Sequence, residues 1–89
     1  MKFLVNKSFG GFGLSSEFLK KYNIDEWRIE RDDKKLIKAI EEYGIINAQD
    51  EYAKLEIIEI KEEITDYYID DYDGFETIYY VVNGKIYTA

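Results

Sequence analysis

The sequence predicts a single α+β domain, with helices early in the chain and an antiparallel β-meander late. Two Asx-Gly pairs, Asp73-Gly74 and Asn83-Gly84, separate runs rich in Tyr, Ile and Val. Such pairs favour tight β-hairpins because both central residues of a type I′ turn need positive φ. Upstream, Leu36, Ile37, Ile40 and Tyr43 recur at helical spacing and Gly44 follows them, which is the pattern of an amphipathic helix and its stop. A chain of 89 residues has room for one core, so residues 1–89 are read as a single domain.

In chain order, Lys2-Phe3-Leu4-Val5-Asn6 is a short strand candidate, too apolar to hang free. A glycine-rich segment follows, Ser8 to Ser16. Ser15 is placed to cap a helix over about Ser16 to Tyr22, with Leu14 and Leu19 as a hydrophobic staple and Asn23 as the stop. Ile24 to Arg31 alternates weakly and predicts a short extended segment. Asp32 or Asp33 then caps a second helix through Tyr43, and Ile45 to Ala53 reads as a connecting loop. From Lys54 the period changes to two. Leu55-Glu56-Ile57-Ile58-Glu59-Ile60 breaks alternation at Ile57-Ile58, the mark of a bulge or of a strand covered on both faces. Three further strands follow, about Ile64 to Tyr72, Phe75 to Val82 and Lys85 to Thr88. The expected architecture is a C-terminal meander of about four strands plus the N-terminal strand, with the two short helices packed on one face.

Composition excludes several kinds of chemistry. There is no cysteine and no histidine, so disulfides, thiolate-ligated zinc, a thiol nucleophile and the commonest general base are absent. No 18-residue apolar run or signal peptide is visible, and Met1-Lys2-Phe3-Leu4-Val5 is followed at once by Asn6-Lys7. A soluble, cytoplasmic protein that does not bind membranes is expected. The net charge of −7 is unevenly placed: residues 1–48 sum to +1 and residues 49–89 to −8. Direct binding of nucleic acid is disfavoured, because the acidic half would repel phosphates. Acid on that scale suits a basic partner, or serves only to keep a small domain soluble.

The two turns fix the strand register and therefore the faces. Tyr67, Ile69, Ile78, Tyr80, Val82 and Tyr87 fall on one side and are expected to pack on the helices. Asp66, Tyr68, Asp70, Thr77, Tyr79, Val81 and Ile86 fall on the other and form the expected open face. Asp71 lies opposite Glu76, a like-charge pair that destabilises unless a cation sits nearby. The candidate partner-binding residues are Asp66, Tyr68, Asp70, Asp71, Glu76 and Tyr79, since tyrosine buries large area at interfaces and acid selects basic partners. An ordinary solvated sheet face is the competing reading.

The loop Gly10, Gly11, Phe12, Gly13 and Ser15 is a second candidate site. A strand, a glycine-rich turn and a helix outline a dinucleotide loop. Ser16 stands where the third glycine belongs, no parallel βαβ unit follows, and no Gly-Lys-Ser/Thr motif is present. A tight structural turn or a partner-contact loop is the plainer reading. The acidic run Asp70-Asp71-Tyr72-Asp73-Gly74 fails as a calcium loop, because Ile69 and Tyr80 occupy positions that need oxygen ligands. Paired carboxylates of a glycosidase would need a cleft larger than this domain provides. No metal and no cofactor is therefore expected.

The segment Asn6-Lys7-Ser8-Phe9-Gly10-Gly11-Phe12-Gly13-Leu14-Ser15 resembles the opening of a family of small phage and prophage proteins, which begin N-K-x-[YF]-G-G-F-G-L-S. Ile29-Glu30-Arg31-Asp32 and Ile69-Asp70-Asp71-Tyr72-Asp73-Gly74-Phe75-Glu76 are similar to that family's later helix start and acidic turn. Asp33 replaces the family's usual Pro, Tyr43-Gly44 replaces Leu-Gly, and the Asn83-Gly84 hairpin differs from the family's basic ending. The resemblance implies a phage origin and no particular activity. With the acidic sheet face, it leads to the expectation of a non-enzymatic accessory protein that binds and modulates a host protein with a basic surface. An anti-defence inhibitor, similar to anti-CRISPR proteins or imitating nucleic-acid charge, is the form expected. A small-molecule or nucleotide binder using Gly10 to Ser16 is the alternative. Self-association through the Lys85 to Thr88 edge is a third expectation.

Overall fold

The computed structural model describes all residues, 1–89. Its elements are β1 (Lys2–Asn6), α1 (Ser16–Tyr22), a 3-10 turn (Glu26–Arg28), α2 (Lys34–Tyr43), α3 (Ile45–Ala48), β2 (Leu55–Glu59), β3 (Asp66–Tyr72), β4 (Phe75–Val82) and β5 (Lys85–Thr88). The chain is α+β, with an antiparallel meander β3-β4-β5 and a separate two-stranded antiparallel sheet β1-β2. No helix is long and apolar enough to cross a membrane.

Local chemistry accounts for the element ends. The Ser15 hydroxyl accepts the Phe18 N–H at 3.2 Å, and Asn23 closes α1 in the left-handed conformation at φ 53°. Leu14 and Leu19 both join the core around this helix, as a staple requires. Asp33 caps α2, accepting the N–H groups of Lys35 and Leu36, and Gly44 ends it at φ 93°. Both hairpin turns have positive φ at their two central residues: 53° and 93° at Asp73-Gly74, 50° and 77° at Asn83-Gly84. The resulting register pairs Tyr72 with Phe75, Asp71 with Glu76 and Val82 with Lys85, as the turn chemistry dictates.

Layering is where the structure departs from expectation. The strand Leu55–Glu59 does not join the meander but pairs with β1, Phe3 opposite Ile58 and Leu4 opposite Ile57. That pairing is continuous, so Ile57-Ile58 is no bulge. Leu4, Leu55 and Ile57 pack with Leu14, Phe18, Leu36 and Ile40 in a core beneath the helices. Phe3, Ile58 and Ile60 pack with Ile78, Tyr67, Ile69 and Tyr80 in a second core beneath the meander. The β1-β2 sheet is therefore a middle layer. The helices cover its far face and never become the lid of the meander. A strand with apolar side chains on both faces must be covered on both, which a four-stranded meander with helices on one side cannot do.

Two local expectations also change. The segment Ile24 to Arg31 contains the 3-10 turn, whose Asp25 carboxylate accepts the Trp27 N–H at 3.0 Å, and extended backbone is left at Asp25 and Ile29 on either side of it. The stretch Ile45 to Ala53 carries the short α3 and an isolated bridge from Gln49 to Leu14.

Phe3 is fully buried and its ring lies 4.5 Å from that of Tyr67, so it joins the middle sheet to the meander. Phe3→Ala is expected to lower the unfolding free energy by about 3–5 kcal/mol, read by urea denaturation. A loss below ~1 kcal/mol would show that the two sheets are held together elsewhere.

Candidate interaction surface

The position of the meander is set by a polar junction at one end of β1. Arg31, on the segment leading into α2, accepts the Leu4 N–H with its carbonyl at 2.8 Å. It returns a guanidinium N–H to the Leu4 carbonyl at 3.2 Å. The same guanidinium grips the Glu76 carboxylate with both terminal nitrogens, Nη2 to Oε2 at 2.7 Å. Its flat face lies 3.6 Å from the centre of the Phe12 ring. A forked donor on a carboxylate, stacked on an aromatic, uses the two properties that separate Arg from Lys. Glu76 Oε1 also takes the Asn6 N–H at 2.7 Å, and the Lys7 ammonium donates to the Glu76 carbonyl at 2.7 Å. Asn6 is fully buried. Its amide nitrogen reaches the Gly74 and Ser8 carbonyls, and its oxygen accepts the Lys54 N–H. No buried side-chain polar atom is left without a partner.

This junction corrects one candidate residue. Glu76 is only 3% exposed, so it serves the interior and cannot meet a partner. The like-charge pair with Asp71 is relieved by Arg31, the cation that such a pair needs. Asp71 is exposed, but its carboxylate accepts the Gly74 N–H at 2.7 Å and so braces the turn. Strand alternation already assigns both residues to the inner side, with Ile69 and Ile78. The pattern was present in the sequence, and the acidity of the two residues masked it.

On the outer side the remaining candidates come together. Asp66, Tyr68 and Asp70 are exposed along β3, and Tyr79 lies across from Tyr68 on β4. The Tyr68 and Tyr79 rings stack at 4.9 Å with planes 9° apart. Three residues not in the candidate set belong to the same face by alternation: Tyr72, 74% exposed, Phe75, and Ile86, 69% exposed. Phe9 joins them from the glycine-rich loop, its ring 5.5 Å from Phe75, a contact that only the tertiary structure reveals. No outer-face position is basic. The Lys7 ammonium lies over the Phe75 ring and is held by the Glu76 carbonyl. Tyr68 on this face is 58% exposed, and the side chains packed beneath the meander belong to its other face.

The glycine-rich loop is filled by the protein itself. A Cβ on Gly13 would collide with the Asp50 carboxylate, and one on Gly10 with the Tyr52 carbonyl. A Cβ on Gly74 would come within 2.7 Å of the Gly11 nitrogen, so the loop also seats the β3-β4 turn. The Asp50 carboxylate accepts the N–H groups of Tyr52 and Ala53 at 2.9 Å. A carboxylate at Gly13 repels phosphate. Ser15 spends its hydroxyl on capping α1 and donates to the Asn47 carbonyl. Phe12 is the seat of Arg31. Nothing in this geometry favours a nucleotide over a structural turn.

Two further surfaces stand apart. Trp27 is 93% exposed on the 3-10 turn. Near it, a groove of about 370 Å³ has Ile24, Ile29 and Leu36 in its lining, together with Arg28 and Lys35. No group of three or more acidic side chains is placed to hold a metal ion.

Replacing either Glu76 or Arg31 by Ala is expected to cost about 3–5 kcal/mol, because the surviving charge is left without its counter-ion. The double variant is expected to cost clearly less than the sum, giving a coupling of at least ~1 kcal/mol in a denaturation cycle. A coupling near zero would contradict the junction. The Tyr67 hydroxyl is pushed above its ordinary value of 10.0, first by burial and then by the nearby Asp32 carboxylate. A raised pKa means that folding favours the neutral phenol. Its contribution is complete below pH 10 and is lost as pH rises through the elevated value. Stability should therefore fall more steeply above pH 10 in the native protein than in Tyr67→Phe, as read by denaturation at stepped alkaline pH. Parallel profiles would refute this.

Compared as a whole, the chain matches no protein-family model, no curated protein and no solved structure.

Proposed function

We propose that this protein is a non-enzymatic binding module that engages a basic surface on another protein through the outer face of its meander. The observation that carries the proposal is the uncovered aromatic face, where Tyr68 stacks on Tyr79 beside Asp66 and Asp70, with Tyr72 and Ile86 exposed around them. Exposed aromatic surface rimmed by charge is the composition of interface centres, where rigid tyrosines give area at small entropic cost. Acid beside the rings would steer a cationic partner and reject an anionic one. The excess of negative charge in residues 49–89 extends the same field over the rest of that half.

In biological terms, the proposal is a phage-type accessory protein that acts in the host cytoplasm on a nucleic-acid-handling host protein. It would inhibit or redirect that protein as anti-defence proteins do, with carboxylates standing where phosphates would bind. The phage resemblance of the Asn6 to Ser15 segment and the acidity of the face support this reading, and both are independent of any catalytic group.

The test is capture from bacterial host lysate with immobilised protein at graded salt. The expected result is a basic partner that is lost as salt rises, and lost altogether with Asp66→Lys/Asp70→Lys. Tyr68→Ala should weaken the purified complex by at least ~2 kcal/mol. Circular dichroism would establish that both variants are folded. Undiminished capture by the charge-reversed variant would refute the proposal.

A further inference from the structure

We propose that β5 is a pairing edge, through which two copies of this chain join antiparallel about a two-fold axis to make one six-stranded sheet. The proposal is independent of the binding role of the outer face. Its starting point is the hydrogen bonding of the last strand. Ala89 and Ile78 exchange both backbone bonds, at 2.9 and 3.3 Å. In an antiparallel ladder the bonded positions alternate, so Lys85, Tyr87 and Ala89 turn their backbone groups toward β4. Ile86 and Thr88 turn theirs away, where no strand flanks them. All four residues of β5 are exposed.

The two edges of the meander are guarded differently. β3 carries Asp66, Asp70 and Asp71 among its seven residues, so two copies meeting there would repel one another. β5 carries one charge, Lys85, and its register with β4 runs without a bulge. The chain contains no proline to blunt the edge. Charge, proline, bulges and very short strands are the usual devices against edge pairing; β5 has the lysine, next to the turn, and a length of four residues that still presents two outward positions.

Geometry selects one register. The outward groups of Ile86 and Thr88 must bond to one another across the axis. Ile86 opposite Thr88 of the second copy satisfies both, with Tyr87 opposite Tyr87 on the axis and Lys85 opposite Ala89. A shift that set Lys85 against Lys85 would incur like-charge repulsion. The chosen register also extends an existing contact. Tyr80 and Tyr87 already stack at 5.6 Å, beside a recess of about 120 Å³ lined by Glu62, Tyr80, Val82 and Tyr87. The ring of the second copy's Tyr87 would stand next to it. Aromatic pairs at directly opposed positions stabilise strand pairing.

The chain has no cysteine, so single-cysteine variants report the register directly. Under mild oxidation, Tyr87→Cys should form a covalent dimer and Asp66→Cys, on the other edge, should not. Sedimentation equilibrium up to about 1 mM should give a dimer mass for the native chain. Ile86→Pro removes an outward N–H and leaves the bonds to β4 in place, so it should weaken dimerisation at least ten-fold with unchanged circular dichroism. Should that variant fail to fold, Ile86→Lys takes its place with the same expectation. A monomer mass for the native chain, equal cross-linking of the two cysteine variants, or unchanged dimerisation of a folded Ile86 variant would each overturn the proposal.

Discussion

The bidentate contact between Arg31 and Glu76 holds the architecture in place, because four separated stretches of chain meet on it. Arg31 brings the approach to α2 against the edge of β1, Glu76 brings β4, Asn6 brings the end of β1, and Phe12 brings the glycine-rich loop. The Glu76 carboxylate is nearly out of water, with a side chain 4% exposed. A charge so placed is tolerable only with its counter-ion and hydrogen-bond donors in position. The net stabilisation from such a pair is modest. Its effect is on uniqueness, since any slide of the meander over β1-β2 would leave a carboxylate or a guanidinium desolvated and alone.

That constraint also decides which side of the meander meets solvent. With Glu76 and Ile78 inward, alternation forces Asp66, Tyr68, Asp70 and Tyr72 outward. The middle sheet then separates the helices from the meander and leaves the outer face with no element to cover it. The surface proposed for binding is thus a by-product of how the interior is satisfied: Glu76 faces in to meet Arg31, and Asp66 and Asp70, on the opposite side of the meander, face out. The glycine-rich loop belongs to the same scheme. Its glycines let Asp50, Tyr52 and the Gly74 turn approach the backbone closely, and its aromatic residues serve two ends, Phe12 beneath Arg31 and Phe9 beside Phe75.

Much of the fold was legible because its causes are local. Ser15, Asp33 and Gly44 bound helices through hydrogen bonds and φ values within a few residues. Asp73-Gly74 and Asn83-Gly84 determine turns, and a two-residue turn leaves one register. Once the register is known, the assignment of Tyr68 and Tyr79 to one face and Ile69 and Ile78 to the other follows without reference to the remaining chain. The doublet Ile57-Ile58 even announced a strand covered on both sides, though it was equally compatible with a bulge.

The class, the caps, the hairpins and the two unlike faces of the meander all arise from contacts close along the chain, so the order of residues is enough to specify them. Long-range packing is what pairs Leu55–Glu59 with Lys2–Asn6, makes this sheet a middle layer and gives the Glu76 carboxylate its counter-ion in the interior. Those outcomes depend on partners 45 to 70 residues apart. Backbone hydrogen bonding makes any strand edge acceptable to any other, so the pairing of β1 with β2 is chosen by which arrangement buries Phe3, Leu4, Ile57 and Ile58 together. The position of Glu76 is chosen by where Arg31 can reach it. Both are competitions over the whole chain: alternation along β4 puts Glu76 on the inner side, but no local pattern records that Arg31 meets it there.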